Sequence, residues 1–341
     1  MAAGNTKPGP GEFALIERGV GGTLGITALD LATGERAAVR AEEPFPLASV
    51  FKVAVMVATL RAVDAGEVRL DERLALSESD KSPGGTLIHC HAGLRPTVRD
   101  LLYLMITLSD NTATDMVWRR LGLSAVNGAM RELGLSSIDC FMPNREFFLI
   151  EAGLGADWAG LDGPATVARW RRFQADGSLH DAYLRLLAEH QRLSGAEFQR
   201  RYDEAWGVDQ RSGFERTVVI DQALDNRGSP GDIAALMEMI AVGTCASPQS
   251  CALMREILTR QEWRDRIPTG LPGGLRIGNK TGSVSGSIND SAIVFLPSGA
   301  PIVIVVLWKD LDEDGEQRAP QALGRIARLT YDRFMARRPP A

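Results

Sequence analysis

The stretch "FPLASVFKVAVMVATL", residues 45–60, decides the fold of this chain. A serine and a lysine, Ser49 and Lys52, stand three positions apart at the start of an otherwise apolar run. On a helix these positions share one face. A partly desolvated lysine loses its proton more easily and can activate a neighbouring serine as a nucleophile. Taken alone, the pattern is also typical of a core helix whose lysine reaches solvent.

Two further triplets favour the catalytic interpretation. The sequence SDN stands at residues 109–111, at a break between two helix-like segments. The sequence KTG stands at residues 280–282, within a strand-like segment. In this order, S-x-x-K, S-D-N and K-T-G form the signature of class A β-lactamases and penicillin-binding proteins. The chain therefore resembles the class A β-lactamases, over roughly residues 20–150 and 225–335.

This resemblance implies the roles of the acylating residues. Ser49 is the expected nucleophile, which becomes acylated, and Lys52 is its base or proton relay. Ser109 is expected to pass a proton to the leaving group. Lys280 is expected to attract the substrate's carboxylate.

The same resemblance implies a substrate-binding set. Asn111 is expected to bond an amide of the substrate, with a structural role at the helix start as the alternative. Thr281 and Gly282 are expected on the strand that pairs with the substrate. The backbone N–H groups of Ser49 and Ser283 are expected to form the oxyanion hole, a kind of site whose loss is costly in acyl-transfer enzymes.

The base that releases the acyl group is less clearly marked. The resemblance implies a glutamate in an E-x-x-L-N pattern on an omega-shaped loop. Glu146 stands at about the expected distance from the SDN triplet, but Ile150 replaces the asparagine. Arg145 is expected to pin this loop. Glu151 is a second candidate base, and a plain surface salt bridge is the alternative for both glutamates.

A second departure concerns the substrate's carboxylate. Ile288 stands where many class A enzymes carry an arginine on the strand after K-T-G. Some relatives use an arginine upstream of that motif instead. Arg266, in "RIPTGLPGGLRIGNKTG", fits this setting and is predicted to bind the carboxylate, with an exposed arginine at a helix end as the alternative.

The resemblance implies an α/β fold of the β-lactamase/transpeptidase type, and the order of elements agrees with it. Strands at both ends of the chain are expected to share one antiparallel sheet, and the helices between them to form a second lobe, with the active site between the lobes. We expect a disordered tail over 1–12, an α/β lobe from 13–48 and 230–341, and a helical lobe over 49–229. About 152–228 is expected to be a helical insertion.

Two helical regions carry further expectations. The final helix is predicted over Pro320–Ala336. The insertion is expected to act as a lid or wall over the site. Its aromatic residues recur near helical spacing, which favours burial in the helical lobe: Trp158, Trp170, Phe173, Tyr183, Phe198, Tyr202 and Trp206.

Composition excludes several partner classes. The 341 residues carry a net charge of −5 with no basic block, which disfavours nucleic acid and anionic membranes. The apolar runs are shorter than the roughly 20 residues of a spanning helix. The first residues lack the layout of a signal peptide, so we expect a cytoplasmic protein, with a secreted or periplasmic protein whose leader was removed as the alternative.

The sequence predicts neither a metal nor a cofactor. The pair His89-x-His91 is expected on a solvent-facing loop, because the other histidines lie far along the chain. Cys245 and Cys251 either lie near each other or are separate thiols of a reducing compartment.

The expected reaction is acyl transfer through a seryl ester. Its substrate is expected to be a small amide or ester with a carboxylate, and the leading expectation is a β-lactam. The alternatives are an esterase, amidase or acyltransferase of specialised metabolism, and a penicillin-binding protein that does not turn over.

Overall fold

The computed structural model describes residues 10–207, 210–297 and 299–338. The chain divides into two compact units, one made of residues up to Val50 together with those from Gly228 onward, the other of Phe51–Arg227. The expected disordered tail, 1–12, lies outside the described residues as far as residue 9. The remainder of that prediction is wrong, because the chain is helical from Pro10.

The first unit is built on a five-stranded antiparallel sheet. The strands of the chain are β1 (Thr23–Asp30), β2 (Arg36–Val39), β3 (Phe45–Pro46), β4 (Arg227–Gly228), β5 (Arg276–Val284), β6 (Ser287–Phe295) and β7 (Ile302–Lys309). The sheet order is β2-β1-β7-β6-β5. Because β1 from the start of the chain pairs with β7 from its end, Leu24 opposite Trp308, the expectation that both ends share one sheet is confirmed.

The helices of the chain are α1 (Pro10–Val20), α2 (Lys52–Asp64), α3 (Val98–Thr107), α4 (Asn111–Leu121), α5 (Leu123–Glu132), α6 (Asn144–Glu151), α7 (Gly163–Ala175), α8 (Leu179–Glu189), α9 (Gly195–Gly207), α10 (Gln210–Leu224), α11 (Pro230–Val242), α12 (Pro248–Thr259) and α13 (Glu313–Met335). No helix in the described ranges combines the length and the apolar character needed to cross a bilayer.

Both faces of the sheet are covered, which explains why its central strands are almost fully buried. The helices α1 and α13 pack on one face and share a hydrophobic core with β1, β6 and β7. The helices α11 and α12 contact the strands as well, and α12 runs against β5. Because helices cover both of its faces, the sheet is a rigid platform for residues on β5.

The final helix begins earlier than the sequence predicts. It starts after Asp312, whose side chain accepts a hydrogen bond from the N–H of Gly315 at 2.7 Å, rather than at Pro320. Acidic residues fill the first turn, where their negative charges interact favourably with the positive end of the helix dipole. An aspartate cap and an acidic turn therefore set this helix start, and Pro320 lies inside the helix.

The second unit is helical, with α2 at its centre. From Lys52 to Leu60 every residue of α2 is buried, and the helix contacts α3, α4 and α5. The predicted burial of the insertion's aromatic side chains is confirmed for Trp158, Trp170, Phe173, Tyr183 and Phe198. Tyr202 is half-buried, and the side chain of Trp206 lies outside the described part of the chain.

Candidate active site

Lys52 lies in the interior of the helical unit. Its side chain has no exposure to solvent. The Nζ atom lies 2.7 Å from the backbone oxygen of Ser109, 3.1 Å from the Oγ of Ser109 and 2.6 Å from the Oδ1 of Asn111. The structure thus brings together Lys52, Ser109 and Asn111, three of the site residues predicted from the S-x-x-K and S-D-N motifs.

Burial changes the acidity of this lysine. Loss of hydration lowers the pKa of Lys52 from 10.5 to about 7, against the opposing effect of the carboxylates of Asp110, Asp115 and Asp225. A neutral amine retains two N–H donors and one lone pair. Two donors suffice for the short bonds to Asn111 and to the backbone of Ser109, which leaves the lone pair able to accept a proton.

The S-D-N triplet is a strained turn that begins α4. Ser109 has a φ of 60°, the left-handed region that non-glycine residues rarely adopt. Asp110 caps α4 through the N–H of Ala113 at 2.8 Å, and its other oxygen accepts from the N–H groups of Thr86 and Leu87. A carboxylate that receives three backbone donors holds this turn firmly.

The loop over residues 82–87 fits closely against the triplet. Asn111 donates from Nδ2 to the backbone oxygen of Pro83 at 2.6 Å. A Cβ atom on Gly84 would lie 2.8 Å from that Nδ2 atom, and one on Gly85 would lie 2.6 Å from the side chain of Asp110. The two glycines therefore permit the contact. Asn111 is held between Lys52 and this loop, so its expected bond to substrate remains a prediction.

Glu146 has a partner that the sequence does not predict. It lies in the first turn of α6, and its Oε2 atom bonds the guanidinium of Arg119 at 2.8 Å. Burial raises the pKa of Glu146, Arg119 lowers it, and the charge of Asp115 raises it again. The alternative of a surface salt bridge is wrong, because Glu146 is buried and its ion pair with Arg119 lies inside the protein. The expected water-activating role remains a prediction.

Asp115 links this ion pair to the lysine, and sequence reasoning missed it. Its Oδ1 atom accepts from the backbone N–H and the side-chain amide of Asn144 at 2.9 and 2.8 Å, and its Oδ2 atom accepts from the N–H of Arg145 at 2.8 Å. Burial raises the pKa of Asp115. Its position four residues after Asn111, on the same face of α4, is the signal that could have identified it.

Arg145 joins the helical insertion to the loop before the triplet. Its guanidinium donates to the backbone oxygen of Lys81 and, at 2.9 Å, to that of His190. It also lies over the ring of Phe198, 5.2 Å from the centroid. Arg145 thus pins this region, as expected from the sequence, through residues of the insertion. Glu151, the second candidate base, is buried at the end of α6.

In the first unit, Ser49 lies on a short 3-10 turn, Ala48–Phe51, that runs directly into α2. The residue before it, Ala48, has a φ of 45°. A Cβ atom on Gly282 of β5 would lie 2.6 Å from the backbone oxygen of Leu47 and 3.1 Å from the backbone nitrogen of Ser49. Only glycine lets β5 approach the serine so closely. The backbone N–H groups of Ser49 and Ser283, the two predicted oxyanion donors, therefore belong to backbone segments that lie side by side.

Lys280 and Thr281 are buried on β5, as the strand prediction requires. The Nζ atom of Lys280 donates to the backbone oxygen of Thr281 at 2.8 Å. Lys280 has no exposure to solvent, so its charge acts through a medium that screens little.

Arg266 supports the end of β5 from the outer edge of the sheet. Its guanidinium donates to the backbone oxygens of Gly282 and Asn289 at 2.7 and 2.6 Å and to the Oγ of Ser283 at 2.5 Å. The alternative of an exposed arginine at a helix end is wrong, since Arg266 is only 8% exposed. Several donors are already used within the protein, so its contact with a substrate carboxylate remains a prediction.

Asp290 is the acidic member of the charged group that includes Arg266 and Lys280. The sequence did not predict it as a site residue. It accepts from the N–H of Ile267 and from Nδ2 of Asn279, each at 3.1 Å. Burial raises the pKa of Asp290 to about 6, although Asn279, Arg266 and Lys280 all lower it. Asp290 thus offsets part of the positive charge of Arg266 and Lys280.

No group of three or more histidine, cysteine, aspartate or glutamate side chains within the described ranges is arranged to hold a metal ion. His89 and His91 are both exposed on the loop before α3, as the sequence predicts.

Comparison with known proteins assigns the family. The sequence profile of the "Beta-lactamase enzyme family" matches residues 12–153 and 185–334, which is most of the chain. The chain belongs to the β-lactamase enzyme family. The resemblance read from the three motifs is thereby confirmed, and so are the α/β fold class and the assignment to the β-lactamase-like serine hydrolases. The unmatched segment, 154–184, lies within the expected insertion.

Individual relatives are distant. A β-lactamase of Streptomyces albus G is 26% identical over 320 residues, covering 92% of this chain and 80% of that protein. β-Lactamase L2 of Stenotrophomonas maltophilia is 35% identical over 124 residues, 36% of this chain, and the match spans only 41% of the length of L2. The crystal structure of a β-lactamase from Sphaerobacter thermophilus superimposes with a TM-score of 0.69 at 28% identity, covering 96% of this chain and 97% of that one.

Proposed function

We propose that this family member hydrolyses a β-lactam or a similar strained cyclic amide through an ester on Ser49. The observation that carries the proposal is the environment of Lys52. Complete burial lowers its pKa to about 7, so that a substantial fraction of the lysine is neutral at physiological pH. A neutral amine follows the serine by three residues on one helical run and supplies the base that a serine nucleophile needs.

The acylation step uses the contacts in the two units. The Oγ of Ser49 attacks the carbonyl carbon, and its proton passes to the Nζ of Lys52. The carbonyl oxygen becomes an oxyanion, which the N–H groups of Ser49 and Ser283 stabilise. The hydroxyl of Ser109, 3.1 Å from the Nζ atom of Lys52, passes a proton to the leaving nitrogen as the ring opens.

Substrate binding uses the positive charge at the end of β5. Lys280 and Arg266 carry two positive charges in a buried setting, and Asp290 offsets part of them. A carboxylate on the substrate balances the remaining charge. This favours small acidic amides or esters as substrates.

Deacylation requires a base that accepts a proton from water. We propose Lys52 for this step as well, since it is neutral again once the leaving group has taken the proton. The bond between Glu146 and Arg119 supports this choice, because it engages a carboxylate oxygen of Glu146 with a guanidinium, although burial raises the pKa of Glu146.

A second candidate function follows from the same bond. If Glu146 is only structural and Lys52 does not activate water either, the acyl-enzyme is long-lived, and the protein acts as a penicillin-binding protein or transfers its acyl group to another nucleophile. The replacement of the expected asparagine by Ile150 favours this candidate too.

Incubation with a chromogenic cephalosporin separates these functions when turnover and intact mass are recorded together. Steady turnover supports hydrolysis. A persistent adduct of one acyl group per chain without turnover supports the second candidate. Absence of both, with cleavage of simple activated esters, would contradict the β-lactam proposal and favour an esterase.

A further inference from the structure

Two thiols of the first unit lie in contact at the corner between α11 and α12. Cys245 is in the connection between the helices, and Cys251 is in the second turn of α12. Their Sγ atoms are 3.6 Å apart, and neither side chain is exposed to solvent. Both are present as thiols, and neither belongs to the proposed catalytic machinery.

The way α12 begins brings the two sulfurs together. Ser247 caps the helix and accepts from the N–H of Ser250 at 3.2 Å. Cys245 precedes the cap by two residues, and Cys251 follows it by four. Apolar side chains on either side of a cap commonly touch and fix the direction in which the chain enters the helix. Here the two side chains that touch are cysteines.

The surroundings of the pair are sulfur-rich and apolar. The Sδ atom of Met254 lies 3.8 Å from the Sγ of Cys245, and the Sγ of Cys251 lies 3.4 Å from the backbone oxygen of Ala246. The sulfurs of a disulfide are about 2.05 Å apart. Closing the gap requires the two sulfurs to come about 1.5 Å closer.

We propose that Cys245 and Cys251 are a redox modification site, which forms a reversible disulfide under oxidising conditions. With an electrophilic azo oxidant such as diamide, one thiolate adds to the N=N bond. The other thiolate then attacks that sulfur and releases the hydrazine. Two thiols lose two electrons and two protons, and the diazene gains them.

The disulfide joins the end of α11 to the start of α12. It closes a loop of seven residues, and a cross-link of this kind restricts the unfolded chain more than the folded one. The corner between α11 and α12 is connected to the sheet through α12, which packs closely on β5. A Cβ atom on Gly278 of β5 would lie 3.0 Å from the Cβ of Leu258 on α12. Oxidation is therefore expected to stabilise the unit that carries Lys280.

The test uses the full chain with Cys90→Ala, so that the half-exposed Cys90 thiol does not link two molecules. The protein is treated with diamide, denatured, alkylated and digested with trypsin. Residues 228–255 form one tryptic peptide that holds both cysteines. We expect this peptide to lose two hydrogens and to escape alkylation, and dithiothreitol to restore both reactive thiols. Cys140, which is also buried but lies in the other unit, should still be alkylated after oxidation.

A second readout is the melting temperature. The oxidised protein should melt a few degrees above the reduced one, and Cys251→Ala should abolish that difference while keeping the activity of the reduced protein. Full alkylation of both cysteines in peptide 228–255 after prolonged oxidation would overturn the proposal. So would a redox-dependent melting temperature that persists in Cys251→Ala. Both measurements are independent of any β-lactam activity.

Discussion

The Nζ atom of Lys52 lies 2.6 Å from the Oδ1 of Asn111, in a position where the lysine has no contact with bulk water. An amide oxygen satisfies one N–H of the amine without neutralising a charge. The carboxylates of Asp110, Asp115 and Asp225 raise the pKa of Lys52 less than burial lowers it. The site therefore holds a lysine that can be neutral near pH 7, and the predictions below start from this property.

The rate of acylation should depend on pH through Lys52. Its pKa of about 7 means that the lysine is mostly protonated at pH 5.5 and mostly neutral at pH 8.5. Because only the neutral amine accepts the serine proton, the acylation rate constant should fall about tenfold for each pH unit below 7. Rapid-quench mass measurements of the adduct between pH 5 and 9 give this profile. An acylation rate that is constant from pH 5 to 8 would exclude Lys52 as the base.

The same lysine should reduce the stability of the fold at neutral pH. Its folded pKa of about 7 is below the ordinary value of 10.5, so between these values the unfolded chain binds more protons than the folded one. Stability from this group consequently rises with pH across that window. Relative to Lys52→Met, the wild type should gain about 1.4 kcal/mol per pH unit between pH 7 and 10, and should show no such trend below pH 7. Urea unfolding of both proteins at pH 6, 8 and 9.5 measures this difference.

Gly282 should be needed for acylation rather than for folding. A Cβ atom there would meet the backbone oxygen of Leu47 at 2.6 Å and push β5 away from the nitrogen of Ser49. We expect Gly282→Ala to slow acylation by about a hundredfold, the effect of losing one oxyanion donor. Gly273→Ala is the matched control, because the space around Gly273 is open, and it should acylate at the wild-type rate. Equal rates in the two variants would show that the oxyanion donors are not where we place them.

Glu146→Gln distinguishes a structural glutamate from a catalytic one. Loss of the carboxylate leaves the guanidinium of Arg119 without its buried partner, so unfolding should become easier by about 2 kcal/mol. The decay of the acyl-enzyme should change by less than about tenfold, since we assign that step to Lys52. Glu72→Gln breaks the more exposed pair with Arg120 and should cost less than about 1 kcal/mol. An adduct that persists a hundredfold longer in Glu146→Gln would instead establish Glu146 as the deacylating base.

The sequence predicted those features that depend on short motifs and periodicity. The helix run after Ser49, the break at the SDN triplet and the strand around Lys280 follow from local pattern, and the structure has all three. The family follows from the same motifs. Even the terminal strands could be paired correctly, because alternating segments at both ends of a chain have few other partners.

The features of the site that could not be predicted from the sequence are contacts between residues that are distant along the chain. Glu146 meets Arg119 because α4 and α6 pack together, and no local pattern indicates which of several charged residues on α4 will face it. Asp115 and Asp290 have polar neighbours in the sequence, and their importance appears only when their backbone donors are known. The helix α13 starts at the Asp312 cap, whereas Pro320, a residue type that is common at the first position of a helix, lies inside it.

The central claim is that Ser49 carries the acyl group. Wild-type protein and Ser49→Ala are incubated with a penicillin, quenched in acid within seconds and digested, and the adduct is located by mass spectrometry. We predict one penicilloyl group per wild-type chain, on the peptide that contains Ser49, and none on Ser49→Ala. An adduct of the same yield on Ser49→Ala, or an adduct located at another residue of the wild type, would contradict the account.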